Sequence, residues 1–141
     1  MKVENIRNIQ DLVDEIGFTY KRDGERILLI QAADENYKYD VACRIGFDEK
    51  NHCLRIVGQS TQDFPKDKHG ELLVYCNNWN RDTKWPKVYT TVYDNGVLDV
   101  ITEMQMQGLQ YDVSADFLKA NIQNHLAFNW EFWVKLGKQF K

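Results

Sequence analysis

Apolar residues recur at helical spacing at Ile6, Ile9, Leu12, Val13 and Ile16, with Arg7, Asp11, Asp14 and Glu15 between them. This spacing predicts an amphipathic helix, capped by Asn5 and stopped by Gly17. Two apolar runs follow, Phe18–Lys21 and Ile27–Ala33, on either side of the turn signal Asp23-Gly24. The first run is at most a short strand. From 37 to 47 the pattern becomes strict alternation. Tyr37, Tyr39, Val41, Cys43, Ile45 and Phe47 point one way, and Lys38, Asp40, Ala42, Arg44 and Gly46 the other. That predicts a strand with one buried face. After a polar turn at Asp48–Asn51, Leu54 and Ile56 return on the core side of a further strand, which fades at Gly58-Gln59-Ser60. Links this short make the region an antiparallel meander.

Pro65 then suits the first turn of a helix, with Asp63 as its cap. Leu72, Tyr75, Cys76 and Trp79 form one stripe of that helix, and Arg81 and Lys84 lie near its end, where positive charge suits the macrodipole. Pro86 forbids continuation and biases Trp85 to extended geometry. Val88, Thr90 and Val92 alternate up to Asn95-Gly96, which predicts a hairpin with a type I′ turn. Leu98, Val100, Met104 and Met106 share one face of the return strand, which Gly108 ends. Ser114 caps a last helix with Asp116 in its first turn. Its main stripe is Leu118, Ile122, Leu126, Trp133, Leu136 and Phe140, widened by Phe117, Phe128, Trp130 and Phe132.

These elements predict a single α+β domain over 1–141: an antiparallel five-stranded sheet with helices on one face, in the order α-β-β-β-α-β-β-α. Lys38, Asp40, Arg44 and Arg55 fall on the other face, which meets solvent or a partner. Hydrophobic residues at 43% and aromatics at 13% suffice for a packed core. A formal net charge of -3 disfavours a nucleic-acid partner. The opening stretch MKVENIRNIQDLVDEIG lacks the apolar centre of a signal peptide, and no segment is apolar over the length of a membrane span. Cys43, Cys53 and Cys76 are odd in number and widely spaced, as free thiols are. A cytoplasmic protein without a membrane partner is therefore expected.

No motif in the chain announces catalysis. His52 adjoins Cys53, but the close ligand pairing of a zinc site is missing, and Cys43 and Cys76 read as small core residues. There is no nucleophile elbow and no phosphate-cradling glycine loop. Asp99, Glu103, Asp112 and Asp116 read as solvated faces or caps. No cofactor is expected, and no enzyme activity. The best polar constellation is Asn77, Trp79, Asn80 and Arg81 with Trp85 nearby. It is either a recognition patch, with Arg81 taking a carboxylate and a Trp as flat anchor, or a satisfied helix end with both Trp rings in the core. The second reading is favoured, since every helix end must be satisfied. Phe128, Trp130, Phe132 and Trp133 cannot share one helical direction, so something beyond the sheet covers some of them. A homodimer seam or partner groove is one answer. The candidate partner-binding residues are thus Trp79, Arg81, Trp85, Phe128, Trp130 and Trp133.

Three stretches carry a family resemblance: LLVYCNNWNRDTKWPKVY, the hairpin DNGVLDVITEM, and VSADFLKANIQNHLAFNWEFW. They resemble the YbjN-like family of bacterial sensory transduction regulators, with Leu72, Asn77 and Asn80 the most specific points. The resemblance implies a fold like that of the type III secretion chaperones. It also implies a small, dimeric, non-enzymatic domain with a regulatory or chaperone-like role, possible settings being signalling or stress response. It supplies no catalytic residues. The expected mechanism is capture of an extended client segment on the free sheet face or an edge strand. One alternative is a small-molecule sensor with an apolar pocket between the last helix and the sheet near Trp85, Trp130 and Met104. The other is an enzyme, which would need convergent titratable groups in that pocket.

Overall fold

The computed structural model of the 141-residue chain describes residues 1–33, 35 and 38–140. Its elements are α1 (Ile6–Ile16), β1 (Lys21–Asp23), β2 (Arg26–Gln31), β3 (Val41–Asp48), β4 (Cys53–Ser60), α2 (His69–Asp82), β5 (Lys87–Val92), β6 (Leu98–Met106) and α3 (Ala115–Gln139). The strands form one antiparallel sheet in the order β1-β2-β3-β4-β6-β5. The sheet therefore has six strands where five were expected. The extra one is β1, whose three residues are all exposed, so no apolar period marks it.

Local chemistry explains most boundaries. Asn5 caps α1 by accepting from the Arg7 N–H, and the Asn8 side chain accepts from the Asn5 N–H in return. Gly17 ends the helix at φ +95°, a conformation that costs a β-carbon-free residue least. Ser114 caps α3 through the Phe117 N–H. Asp63 is not a cap. Pro65 leads instead into a 3₁₀ turn at Lys66–Lys68, and neither that turn nor α2 starts with a side-chain cap. The β5–β6 hairpin also departs from expectation. Only Gly96 has positive φ, at +83°, and its N–H reaches the Tyr93 carbonyl while Tyr93 N–H reaches Val97. That is a three-residue loop, a type I turn followed by a left-handed glycine, rather than type I′. The long alternation also starts late. β3 begins at Val41, Tyr37 lies outside the described residues, and Tyr39 leaves the sheet to pack on Phe64 and Trp133.

All three helices lie on one face of the sheet. One buried cluster joins α1 and the N-terminal half of α3 to Ile27, Leu29, Cys43, Ile45, Leu54, Ile56 and Met104. A second joins α2 and the C-terminal half of α3 to Val41, Val88, Leu98 and Val100. α3, 25 residues and so about 37 Å long, bridges both, and Trp130 packs against each. Midway, fully buried Asn129 on α3 accepts from the Thr102 hydroxyl, whose oxygen also lies 3.2 Å from the Gly58 carbonyl. No helix of the described residues is long and apolar enough to cross a membrane.

Candidate functional site

The face opposite the helices is set by the strand register. One row across it reads Arg26, Gly46, Arg55, Gln105, and the next reads Leu28, Arg44, Val57, Glu103, Lys87. A third reads Ile30, Ala42, Gln59, Ile101, Tyr89. Alternation along each strand puts these side chains on the side away from the core. Sequence reasoning placed Lys38 and Asp40 there as well. Both precede β3 instead: Lys38 donates to the Phe140 carbonyl, and Asp40 accepts from the Ala33 N–H.

β6 is buried on both sides. Asp99 and Glu103, expected on a solvated face, are each only 5% exposed although no helix covers them. Long neighbours on β4 and β5 close over them. Glu103 accepts from Arg55 at 2.5 Å and from Tyr89 Oη at 3.2 Å, with Lys87 Nζ at 3.2 Å. Burial alone would raise its pKa, but the hydrogen bonds and charges of Arg55 and Lys87 outweigh that and hold it below the ordinary value. Asp99 has weaker help, from the Val100 N–H and Gln59. Burial pushes its pKa up to about 6, against the lowering effect of the Val100 N–H and with the charge of Asp63 adding to the rise. The signal for Glu103 was absent from local sequence, because Arg55 lies 48 residues away and meets it only through the non-sequential β4–β6 pairing.

Gly46 leaves a gap in the first row. A cavity of about 700 Å³ opens there, lined by Arg26, Arg44, Gly46, Phe47, Arg55 and Val57 among others. A second, of about 520 Å³, shares Arg55 and Asp48 and runs on past Cys53 and Gln105. Arg44 pairs with Asp23 at 3.4 Å. Asp48 at the rim is occupied by the N–H groups of Lys50 and Asn51 and the Asn51 amide. Arg26 makes no salt bridge among the described residues. Guanidinium groups stay charged at any physiological pH, so this surface offers fixed donors for recognition. Among the described residues, no three His, Cys, Asp or Glu side chains converge as metal ligands.

The six residues anticipated as a partner surface do not assemble. Trp133, 1% exposed, is enclosed by Tyr39, Phe64 and Phe132. Trp79, 9% exposed, donates its indole N–H to the Pro86 carbonyl and abuts Phe132 edge-on. Both are core residues, as the favoured reading of the helix end has Trp79, and neither belongs to the candidate partner surface. Arg81 is exposed and pairs with its neighbour Asp82 at 2.8 Å. Trp85 and Phe128 are 38% and 40% exposed and flank the ring of His125. Trp130 lies elsewhere on α3, beside a cavity that Ala127 and Val134 also line. Asn80 does something other than satisfying its own helix end. Its amide donates to the Val88 carbonyl and accepts from the Val88 N–H, filling that position on β5.

A family model described as "Putative bacterial sensory transduction regulator", YbjN, matches residues 5–128. The crystal structure of YbjN from E. coli, a "putative transcription regulator", superposes with a TM-score of 0.79 at 9% identity, covering 99% of this chain and 96% of that one. An uncharacterized protein from Methanothermobacter thermautotrophicus superposes at 0.55 with 10% identity, covering 96% of this chain and 99% of that one. At such identities the two structures share the fold alone. No curated protein matches the chain.

Proposed function

The chain belongs to the YbjN family, and from that premise we propose that it is a non-enzymatic, chaperone-like protein-binding module of the cytoplasm, acting as a homodimer. The family description supports a regulatory or binding role in general terms. The observation that carries the finer reading is the one-sided placement of the helices. It leaves a whole sheet face with exposed Ile30, partly exposed Leu28 and Val57, and a guanidinium-lined hollow. That face, rather than an edge, suits an extended segment of a client protein, because Asn80 already occupies β5 at Val88 and β1 is only three residues long. The dimer would form through the exposed aromatic side of α3. The sensor alternative has less support: Met104 is buried in the core, and the hollow beside Trp130 is lined by Glu131, Lys135 and Lys138 of α3 rather than by the sheet.

Panning a library of extended peptides against the protein tests the reading. Selected peptides should lose about tenfold or more in affinity on Ile30→Lys and Val57→Lys, and be indifferent to Asn124→Lys on the helical side. Equal affinity for all three variants would sink the free-face reading. Light scattering on wild type and Trp130→Ala tests the dimer separately. A dimer lost in the variant supports the α3 seam, and a monomer in both refutes it.

A further inference from the structure

We infer that the segment received by the free face is acidic, and that one of its carboxylates seats over Gly46 between Arg26 and Arg55. This rests on the free-face reading above and names the chemistry of its occupant. Three observations carry it.

The first is the notch. Arg26, Gly46 and Arg55 are consecutive in one row across β2, β3 and β4. At the usual strand spacing the two arginine Cα atoms stand about 10 Å apart, with only a glycine between them. The Arg26 stem leans across this gap, its Cγ 3.7 Å from where a Gly46 Cβ would sit. An anion over Gly46 is thus within reach of guanidinium groups from both sides, with Arg44 in the adjoining row.

The second is how the charges are held. The outward strand positions carry five cations, Lys21, Arg26, Arg44, Arg55 and Lys87, and four acids, Asp23, Asp48, Asp99 and Glu103. Asp99 and Glu103 are buried beneath their neighbours, Asp23 is paired with Arg44, and Asp48 is taken up by its own turn. Glu25, in the turn beside Arg26, is the one further acid lining the hollow. Arg55 and Lys87 both pair with Glu103, but their side chains are 54% and 57% exposed against its 6%, so what reaches a partner from these strands is mostly cationic, on a chain whose overall charge is -3. Such a patch selects a negatively charged partner by steering and by charge-assisted hydrogen bonds.

The third is the floor. Val57 lines the same hollow, and Leu28 lies in the same row, on the far side of Arg44. A side chain adjacent to the seated carboxylate meets apolar surface, so the fitting segment mixes acidic and apolar residues. A phosphate backbone offers no apolar groups to match this floor, which favours a peptide over a nucleic acid.

The test uses fluorescence anisotropy with two labelled twelve-residue peptides, one of alternating glutamate and valine, the other with glutamine in place of glutamate. The protein variants are Arg26→Glu and Gly46→Val. Among the described residues Arg26 breaks no ion pair when reversed, and valine suits a strand, so circular dichroism should show both folded. The glutamate peptide should bind wild type and lose at least about tenfold on each variant. It should also bind at least about tenfold more tightly than the glutamine peptide, with the difference fading in high salt. Equal binding of the two peptides, with loss of both on Val57→Lys, overturns the acidic preference and leaves the free-face reading intact. Absence of binding by either peptide overturns both. Tighter binding of single-stranded DNA of matched charge, with the same Arg26 dependence, assigns the notch to nucleic acid and overturns the proposal.

Discussion

A methyl group added at Gly58 would stand 2.5 Å from Asn129 Oδ1, 2.5 Å from Thr102 Oγ1 and 2.9 Å from Asn129 Nδ2. Atoms at such distances overlap deeply, since carbon contacts are optimal near 3.5–4.0 Å. Neither neighbour can swing away cheaply. Asn129 is 2% exposed on the sheet-facing side of α3, and Thr102 is in the central part of the sheet, bonded to Asn129 and held against the Gly58 carbonyl. Gly58→Ala must therefore push α3 off the sheet and break the Thr102–Asn129 hydrogen bond. Overpacking costs about 1–3 kcal/mol and a lost hydrogen bond about 0.5–1.5, so the variant should be less stable by about 2–4 kcal/mol. For a chain of this size that lowers the melting temperature by about 6–15 °C. The sign is informative. Glycine to alanine in a strand without such a clash stabilises by about 0.4–1 kcal/mol. Urea unfolding followed by circular dichroism measures the cost, with an unchanged slope if the native state stays compact. Asn129→Ala should open room on the helix side. In that background the Gly58→Ala penalty should shrink by about 1 kcal/mol or more. A Gly58→Ala protein within about 0.5 kcal/mol of wild type, or strictly additive penalties, would refute the account of how α3 is seated.

Two further outcomes follow from buried titratable groups. The Asp99 pKa rises from 3.8 to about 6 in the folded chain, so the folded state holds the proton more tightly than the unfolded one, and stability falls as pH climbs from about 4 to 6. That shift sets a ceiling of about 3 kcal/mol. Asp99→Asn should stabilise the protein at pH 7 by about 1–2 kcal/mol and remove the corresponding gain on acidification; identical pH profiles would contradict it. Burial pushes the Cys43 thiol up to about 12 and the Cys76 thiol up to about 11, and only Cys53 is partly exposed. A mild thiol reagent at pH 8 should label one cysteine in the native protein and all three in urea. Fast labelling of Cys43 or Cys76 without denaturant would show that α1 or α2 opens readily.

What could be read from the sequence is what neighbours in the chain decide. The caps at Asn5 and Ser114, the stop at Gly17 and the alternation through β3 and β4 all follow from residues a few positions apart. β1 escaped because Lys21, Arg22 and Asp23 are polar and take strand form only by pairing with β2. The candidate site was harder still. Its cationic floor depends on Arg26, Arg44 and Arg55 falling in adjacent rows, and its buried acid on β4 lying beside β6. Such coincidences are set by sheet register, which no local period records. The tryptophans misled for a related reason. Trp79 and Trp133 have the composition of an interface anchor, but pack within a core that α2 and α3 assemble only at the tertiary level.

Asn80 has a consequence beyond its own two hydrogen bonds. An antiparallel sheet ends in rows of unpaired N–H and C=O groups, and each such row is a template on which a further chain can grow. On β5 the Asn80 amide presents both a donor and an acceptor to Val88, as an incoming strand would. The opposite margin, β1, is short and lined with exposed charge. Open-ended fibre growth is thereby hindered at Val88 on one margin and discouraged at the other. The safeguard lasts only while the end of α2 stays wound. If that last turn frays under heat or acid, Val88 becomes a free template. Protection against aggregation is then tied to the local stability of a single helical turn rather than to that of the whole fold.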